Sequence, residues 1–519
     1  MQRARSTIAG CGCLLIFAPA LLAAVAAAPT EVRIGGWRVI GEPDATQPHV
    51  AVFRGIPYAR PPLGDLRFRA AERLDPPDAG EYRATRFAPA CPQDEGNVEW
   101  YRDVARGVGA DPASVLTLPP VDEDCLYLNI WTPAPGRGDA ELPVLVWIHG
   151  GGNVNGWSYE PNYLGHNLAA RGLVVVSIAY RLGALGFVAH PWLSAESERG
   201  ASGHYGISDL VTALEWIQRH VPAFGGDPRN VTLAGESAGG GNIAALLRVR
   251  AADRSYRRAI IQSGALGPGA TRSLADAQRA GERIFAALGV RDVAGLRARP
   301  WSDFVALDWH GYDAGVVADG LLLAPSAAIR EGVDLLIGSN AQEWLMYQQD
   351  DGTAALARSL AGYARGREPQ ARALLASIDP DPRRQADRLF SAAEFVCPSA
   401  RLAAQVHARG GRAFVYRFTR VRPGAGAIGA YHGGEIPYVF DTADVWLPAD
   451  ATDRVLTRAI GSYWTSFARD GLPSGHDLPA WPAYDVATRR HLVVGDAIAP
   501  GSRLESALCS FLEAAGPTP

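Results

Sequence analysis

Stretches typical of buried strands alternate with a helical pattern across residues 143–264, and this alternation constrains the fold more than any other feature. Residues 144–148 and 173–179 are nearly continuous runs of apolar and β-branched side chains, as in strands buried on both faces of a sheet. In residues 207–221 the apolar side chains recur at steps of three and four, which indicates one face of a helix. The alternation predicts the α/β class, with a central, mostly parallel sheet flanked by helices. The strand pattern returns at residues 231–234, 259–262 and 334–338.

The length and composition of the chain support a large buried core. It has 519 residues, of which 48% are hydrophobic and 20% charged. Residues 275–395 have a helical pattern rich in Ala and Arg, and no internal repeat or low-complexity linker divides the chain. We therefore predict a single domain over residues 29–519 with a helical elaboration at 275–395.

The first thirty residues have the pattern of a secretory signal peptide. Arg3 and Arg5 precede an apolar run at 13–25, and three alanines at 26–28 form a small-residue cleavage site. A membrane anchor is the alternative, but Pro19 interrupts the run, which is shorter than the roughly 20 apolar residues of a spanning helix. We expect residues 1–28 to be removed and the protein to be exported to the periplasm or the extracellular space, without stable membrane insertion.

The charge balance limits the possible partners. There are 50 basic and 54 acidic residues, which give a net charge of −4 at pH 7. A nucleic-acid-binding surface needs an excess of positive charge, so we expect no nucleic acid partner. The sequence leaves the oligomeric state open.

The cysteines are informative if the chain is exported. Cys11 and Cys13 would leave with the signal peptide, and an even number would remain. In an oxidising compartment the remaining cysteines favour disulfides, and four cysteines allow three pairings. None of them has the C-x-x-C spacing of a zinc site. We therefore predict disulfides and no metal. The remaining cysteines are Cys91, Cys125, Cys397 and Cys509.

A G-x-S-x-G motif at residues 235–239 places Ser237 between the predicted strand 231–234 and a helical pattern at 241–248. A serine on such a strand-turn-helix is a nucleophile elbow, and small flanking residues are needed because the turn is tight. The alternative is a serine that only caps the helix. The setting favours Ser237 as a nucleophile that needs a base and an oxyanion site.

A second glycine motif, His149-Gly150-Gly151-Gly152, directly follows the predicted strand 144–148. Backbone N–H groups of Gly151 and Gly152, together with that of Ala238, suit the stabilisation of a negatively charged oxygen. An ordinary flexible glycine turn is the alternative, and the position directly after a buried strand argues against it.

The base and its orienting acid must come from later in the chain, in the order Ser, acid, His typical of α/β-hydrolases. Glu343 follows the carboxyl end of the strand 334–338, on the side where α/β sites form, whereas Asp334 lies at the opposite end. His432 lies in a glycine-rich loop, whereas His407 falls in an apparent helix. These positions favour His432 as the base and Glu343 as the acid, with a structural salt bridge as the alternative for Glu343.

Several longer motifs together resemble the type-B carboxylesterase/cholinesterase family, from about residue 30 to residue 509. The resemblance implies an α/β-hydrolase fold with helical insertions and a serine carboxylesterase that hydrolyses small-molecule esters without a cofactor. Non-catalytic binding or adhesion proteins and lipases or amidases on the same fold are the alternatives. The motifs are FRGIPYA at 53–59, EDCLYLN at 123–129, FGGDP at 224–228, GESAG at 235–239 and QSG at 262–264.

The resemblance also implies roles for individual residues. Ser237 resembles the nucleophile, Glu343 the acid and His432 the base, while Gly151, Gly152 and Ala238 match the oxyanion donors. Glu236 and Ser263 match polar positions behind the nucleophile, where a purely structural role is equally open. It further implies disulfides between Cys91 and Cys125 and between Cys397 and Cys509.

Three departures from the family pattern limit the substrate. Trp344 stands where the family has a glycine after the acid, and residues 153–156 lack the aromatic side chains of cholinesterases. Trp100 does not match the position of the aromatic residue that binds quaternary ammonium. A choline ester is therefore not supported as the substrate.

The choice of His432 as the base also predicts a pH dependence. We expect activity to rise with pH around 6 to 7, the ordinary range of the pKa of an imidazole.

Overall fold

The structure is a computed structural model that describes residues 30–76, 79–266, 271–307, 314–348 and 352–514. The predicted signal peptide, residues 1–28, lies outside this part of the chain. Within the described ranges, none of the helices combines the length and the apolar character that a membrane crossing requires.

The strands form one large sheet and two small ones. The large sheet has eleven strands in the order β16-β15-β14-β13-β10-β9-β7-β8-β6-β4-β3, and the small sheets are β1-β2-β5 and β11-β12. The strands are β1 (Glu31–Ile34), β2 (Trp37–Ile40), β3 (Glu42–Pro43), β4 (Ala51–Pro57), β5 (Gly80–Arg83), β6 (Tyr127–Thr132), β7 (Leu142–Ile148), β8 (Val174–Ile178), β9 (Gly226–Glu236), β10 (Arg258–Gln262), β11 (Thr271–Ser273), β12 (Val316–Ala318), β13 (Asp334–Asn340), β14 (Ala413–Phe418), β15 (His491–Val494) and β16 (Ile498–Gly501).

Helices connect the strands and cover the sheet. The α-helices are α1 (Gly96–Gly107), α2 (His166–Ala170), α3 (Gly183–Phe187), α4 (Pro191–Ala195), α5 (Tyr205–His220), α6 (Ala238–Leu246), α7 (Leu274–Ala287), α8 (Val293–Arg297), α9 (Trp301–Val305), α10 (Thr353–Tyr363), α11 (Glu368–Ala376), α12 (Pro382–Ser391), α13 (Cys397–Ala408), α14 (Ile436–Phe440), α15 (Ala451–Asp470) and α16 (Ser506–Ala514).

The large sheet is parallel at its centre and antiparallel at its edges. All pairings from β8 through β7, β9, β10, β13 and β14 to β15 are parallel, whereas β16 and the strands β6, β4 and β3 pair antiparallel. The predicted α/β class and mostly parallel sheet agree with this arrangement.

The strand β7 shows why the central runs of the sequence are apolar throughout. Val144, Val146 and Ile148 belong to the core on one face of the sheet, which includes the apolar side of α5. Leu145 and Trp147 belong to the core on the other face, which includes α15. Because successive side chains of a strand point to opposite faces, burial on both faces requires an unbroken apolar run.

The parallel register brings the carboxyl ends of the central strands to one edge of the sheet. Ile148 pairs with Gly235, and Gln262 pairs with Glu236 on one side and with Gly338 on the other. The segments that follow β7, β9, β10 and β13 therefore begin side by side, which is where α/β proteins form their sites.

The local predictions differ from the structure around Ser237. The strand predicted at 231–234 begins earlier, at Gly226, since Gly226 pairs with Leu142 across an irregularity in the register. The helix predicted from residue 241 already begins at Ala238. The turn at Ser237 is thus a single residue, tighter than the sequence pattern indicates.

The described part of the region 275–395 contains the helices α7 to α12, the short strand β12 and the central strand β13. The chain therefore returns to the sheet in the middle of this region. The assignment of residues 29–519 to a single domain stays a prediction.

Candidate active site

Ser237 occupies the turn between β9 and α6. Its backbone has φ +54° and ψ −125°, a conformation that costs a residue with a side chain about 1–3 kcal/mol. A Cβ built on Gly235 would lie 2.7 Å from the carbonyl oxygen of Ile148 on β7, and one built on Gly239 would overlap that oxygen. The flanking positions therefore have to be glycine, and the packing of β7 against the turn maintains the strained backbone of Ser237.

The glycine loop after β7 lies directly against this turn. Gly151 and Gly152 have positive φ values of +94° and +65°, and a Cβ built on Gly150 would lie 3.1 Å from the Cβ of Ser237. Gly151 and Gly152 line the same cavity as Ser237. Ala238 is the first residue of α6, where backbone N–H groups have no partner within the helix. Such N–H groups can stabilise an oxyanion.

The structure brings Glu343 and His432 together from segments far apart in the sequence. His432 Nδ1 lies 2.7 Å from Glu343 Oε2. The other carboxylate oxygen, Oε1, accepts hydrogen bonds from the Ser263 hydroxyl at 2.7 Å and from the Asn340 N–H at 2.6 Å. Glu343 is completely buried, and these contacts fix both of its oxygens.

A second buried carboxylate, Glu435, holds the loop that carries His432. The Asn340 side-chain amide donates to Glu435 Oε2 at 2.5 Å and to the Tyr431 carbonyl at 2.7 Å. Gln262 Nε2 donates to Glu435 Oε1 at 3.0 Å, and Trp464 Nε1 donates to Gln262 Oε1 at 3.0 Å. The sequence patterns did not single out these residues, although Gln262 lies in the motif QSG at 262–264 and Glu435 follows His432 by three residues.

Glu236, the residue next to Ser237, contacts the His432 ring at the nitrogen that does not face Glu343. His432 Nε2 lies 3.3 Å from Glu236 Oε1, and both side chains are largely buried. Burial raises the pKa of the Glu236 carboxyl, and the charges of Glu435 and Glu343 act in the same direction. Glu236 is therefore more readily protonated than an exposed glutamate.

The electrostatic surroundings of His432 change the expected pH dependence. Burial by itself lowers the pKa of His432, but the charges of Glu236 and Glu343 outweigh it, so the pKa is raised above the ordinary 6.5. The expectation of a change around pH 6 to 7 used the ordinary imidazole value. It did not include the second carboxylate in contact with the ring.

Ser237 and His432 line one cavity of about 330 Å³. Trp344, at the position of the family glycine, lines the cavity too. The centroid of its ring lies 4.2 Å from that of Phe390, and its backbone N–H donates to Asp387 Oδ1 at 2.7 Å. Trp100 on α1 also lines the cavity. The sequence did not place Trp100 at the site, since no local pattern indicates where α1 packs.

Both disulfides implied by the resemblance are present in the structure. Cys91 is bonded to Cys125 and Cys397 to Cys509. The first bridge closes the segment that contains α1, and the second joins the start of α13 to α16. Among the residues that the structure describes, no three His, Cys, Asp or Glu side chains gather into a group that could hold a metal ion.

Comparisons with known proteins identify the family of this chain. The family model described as "Carboxylesterase family" matches residues 29–365 and 372–511. The chain is 34% identical over 478 residues to the fumonisin B1 esterase of Sphingopyxis macrogoltabida, covering 86% of this chain and 83% of that protein. It is 33% identical over 487 residues to the phenmedipham hydrolase of Pseudarthrobacter oxydans, covering 86% and 91%.

A solved structure of a PNB esterase superposes with a TM-score of 0.78 at 28% identity, covering 93% of this chain and 100% of that one. The resemblance noted in the sequence thus extends to the whole fold, and the α/β-hydrolase architecture is confirmed. The chain belongs to the carboxylesterase family, and the protein is a carboxylic ester hydrolase.

Proposed function

We propose that the protein hydrolyses esters through an acyl-enzyme on Ser237, with His432 as the base and Glu343 as the acid that orients it. The observation that carries this proposal is the contact of 2.7 Å between His432 Nδ1 and Glu343 Oε2. The His432 ring also lines the same cavity as Ser237. A neutral hydroxyl is a weak nucleophile, so such a base is what Ser237 requires.

In the first half of the reaction, Ser237 Oγ attacks the ester carbonyl carbon while its proton passes to His432 Nε2. Glu343 accepts the hydrogen bond from Nδ1–H and stabilises the imidazolium. The N–H groups of Gly151, Gly152 and Ala238 stabilise the negative charge on the former carbonyl oxygen. The tetrahedral intermediate then collapses, and the proton on His432 leaves with the alcohol.

In the second half, water takes the place of the alcohol. His432 removes a proton from the water, whose oxygen attacks the acyl carbon, and the proton then returns to Ser237 Oγ as the acid leaves. In this scheme Ser263 is a positioning residue that acts through Glu343, and Glu236 sets the charge beside the base.

The test is labelling and burst kinetics with a Ser237→Ala variant. We expect wild-type protein to react with a fluorophosphonate probe and to release a burst of chromophore from a chromogenic ester, and Ser237→Ala to do neither. Ser377→Ala, an exposed serine near the end of α11, is the matched control and should behave as wild type. An undiminished burst in a folded Ser237→Ala would remove Ser237 from the mechanism.

We also infer that the protein is exported. The signal-peptide pattern at residues 1–28 and the two disulfides support this location, because disulfides persist in oxidising compartments. Fractionation of expressing cells tests it: export predicts a mature chain in the periplasm or medium that begins near residue 29. Full-length chain that stays with the cytoplasm would contradict it.

A further inference from the structure

A second cavity, of about 800 Å³, lies at the edge of the sheet opposite Ser237. Among the residues that line it, Arg250 precedes β10, Arg330 precedes β13 and Arg409 precedes β14. These three strands and β9 run parallel, so their amino ends lie at the edge opposite the one where Ser237 follows β9. Within the described part of the chain, no residue lines both this cavity and the one that contains Ser237. The two cavities are therefore separate.

The lining of this cavity has an excess of positive charge, with four arginines against two acidic residues. Two of the arginines already have partners in the protein. Arg409 Nη2 lies 3.0 Å from Glu331 Oε1, while Arg330 donates to the carbonyl oxygen of Tyr256 and lies 5.0 Å from the centroid of its ring. The arginines are Arg248, Arg250, Arg330 and Arg409, and the acidic residues are Asp253 and Glu331. We call this the arginine cavity.

Arg248 is the member of the arginine cavity that most favours an anion. Its side chain is half-buried and makes no hydrogen bond or ion pair with any residue that the structure describes. Its guanidinium nitrogens remain accessible, so a ligand can reach them. Burial lowers the pKa of Arg248, and no neighbouring acid offsets this effect. A cation that has lost water without gaining an anion is unfavourable, so a bound anion would stabilise it.

Arg250 adds a second cation at the opening of the arginine cavity. It begins the single helical turn Arg250–Ala252 and is exposed. Like Arg248, it forms no ion pair with the acidic residues of the described ranges. Two guanidinium groups without protein partners can both donate to one carboxylate, sulfate or phosphate group.

The uncharged part of the lining is apolar apart from Ser326. Leu321 is 38% exposed, although it is a large apolar side chain. Exposed apolar surface beside cations suits a ligand that carries an apolar body next to its charge. A small inorganic ion would leave most of the cavity in contact with water. The apolar residues are Ala251, Leu321, Leu322, Ala324, Ala327, Ala328 and Ile329.

We propose that the arginine cavity is a second ligand site, which binds an organic anion with an apolar chain, such as the carboxylate of a fatty acid. Arg248 and Arg250 hold the anionic group, and the apolar side chains around Leu321 cover the chain of the ligand. The site does not depend on Ser237 as the nucleophile, because no residue of the arginine cavity takes part in the proposed reaction.

The test is isothermal titration calorimetry of the wild-type protein with octanoate. We expect saturable binding of octanoate that is at least about tenfold tighter than that of octanamide, which has the same chain without the charge. Binding should also be at least about tenfold tighter than that of acetate, which has the charge without the chain. No binding of octanoate, or equal binding of octanoate and either analogue, would overturn the proposal.

Variants assign the binding to the arginine cavity. Arg248→Gln removes the charge and keeps a polar side chain, so its dissociation constant for octanoate should rise at least about tenfold. Arg250→Gln, at an exposed position that folding does not need, should raise it at least about threefold. Arg291→Gln, at an exposed arginine between α7 and α8, is the matched control and should bind octanoate as wild type does.

Thermal melts show whether these variants are folded. If folded Arg248→Gln and Arg250→Gln both bind octanoate with the wild-type dissociation constant, octanoate binds elsewhere on the protein and the proposal is wrong. Loss of hydrolysis in Ser237→Ala has no bearing on this result, so the proposed function and the second site are tested separately.

Discussion

The two sides of the proposed active site, which we call the nucleophile side and the base side after the proposed roles of Ser237 and His432, are built by different means. On the nucleophile side, Ser237 and the glycine loop are placed by close contact of one backbone with another. On the base side, Glu343 and His432 are placed by side-chain hydrogen bonds. The comparison teaches that the first side depends on the absence of side chains, whereas the second depends on buried charge and its partners.

This difference predicts that substitutions on the two sides damage the protein in different ways. An added methyl group on the nucleophile side meets immovable backbone, so the damage should be steric and should affect folding. A lost carboxylate or hydroxyl on the base side leaves the packing nearly unchanged, so the damage should appear in rate and pH dependence.

The largest effect should come from Gly239→Ala. Its Cβ would overlap the Ile148 carbonyl oxygen, so we expect a loss of more than about 3 kcal/mol in the free energy of unfolding, together with loss of fluorophosphonate labelling. Thermal melts and labelling measure both. Gly362→Ala near the end of α10 is the control, because no atom lies within 4 Å of its built Cβ, and it should be neutral or slightly stabilising. A stable, fully labelled Gly239→Ala would refute the steric account.

The next effect concerns the charge of Glu343. Glu343→Gln keeps the shape of the side chain but removes the carboxylate that stabilises the imidazolium, so kcat should fall about a thousandfold with the melting temperature nearly unchanged. Steady-state kinetics and a thermal melt test this. Glu331→Gln, which removes one partner of an exposed ion pair with Arg409, is the control and should match wild type in kcat and in melting temperature. A fall of less than about tenfold would mean that another group orients His432.

A smaller effect is expected at Ser263, which donates one of the two hydrogen bonds to Glu343 Oε1. Ser263→Ala should lower kcat about tenfold and leave KM unchanged, because the hydroxyl positions the acid without touching substrate. Ser377→Ala again serves as the control. A rise in KM at constant kcat would instead assign Ser263 to substrate binding.

The smallest effect should be a shift in pH dependence. His432 must be neutral to accept a proton, so activity rises with pH through its pKa. The charge of Glu236 raises that pKa, so Glu236→Gln should move the acidic limb of kcat/KM to lower pH by about one unit. Glu215→Gln, at an exposed residue of α5, is the control and should leave the acidic limb where it lies in wild type. An unchanged or upward-shifted limb in Glu236→Gln would show that Glu236 carries no charge beside His432 in the working enzyme.

The sequence predicted the nucleophile side in more detail than the base side. The motifs around Ser237 and Gly151 are contiguous, and each follows a strand whose apolar pattern is unmistakable. Glu343 and His432 were selected by chain order and loop position, with a structural salt bridge left open for Glu343. Asn340 and Glu435 were not singled out, because an amide and a carboxylate that meet across two loops have no local signature.

The sequence by itself determined the α/β class, the sheet with its doubly buried strands, and the turn at Ser237, because an unbroken apolar run and a serine flanked by glycines are patterns of neighbouring residues. Only the tertiary structure decided that Glu236 and Glu343 flank the same imidazole and raise its pKa. Electrostatic and hydrogen-bonding effects depend on distances across space, and these are set by the packing of segments far apart in the chain.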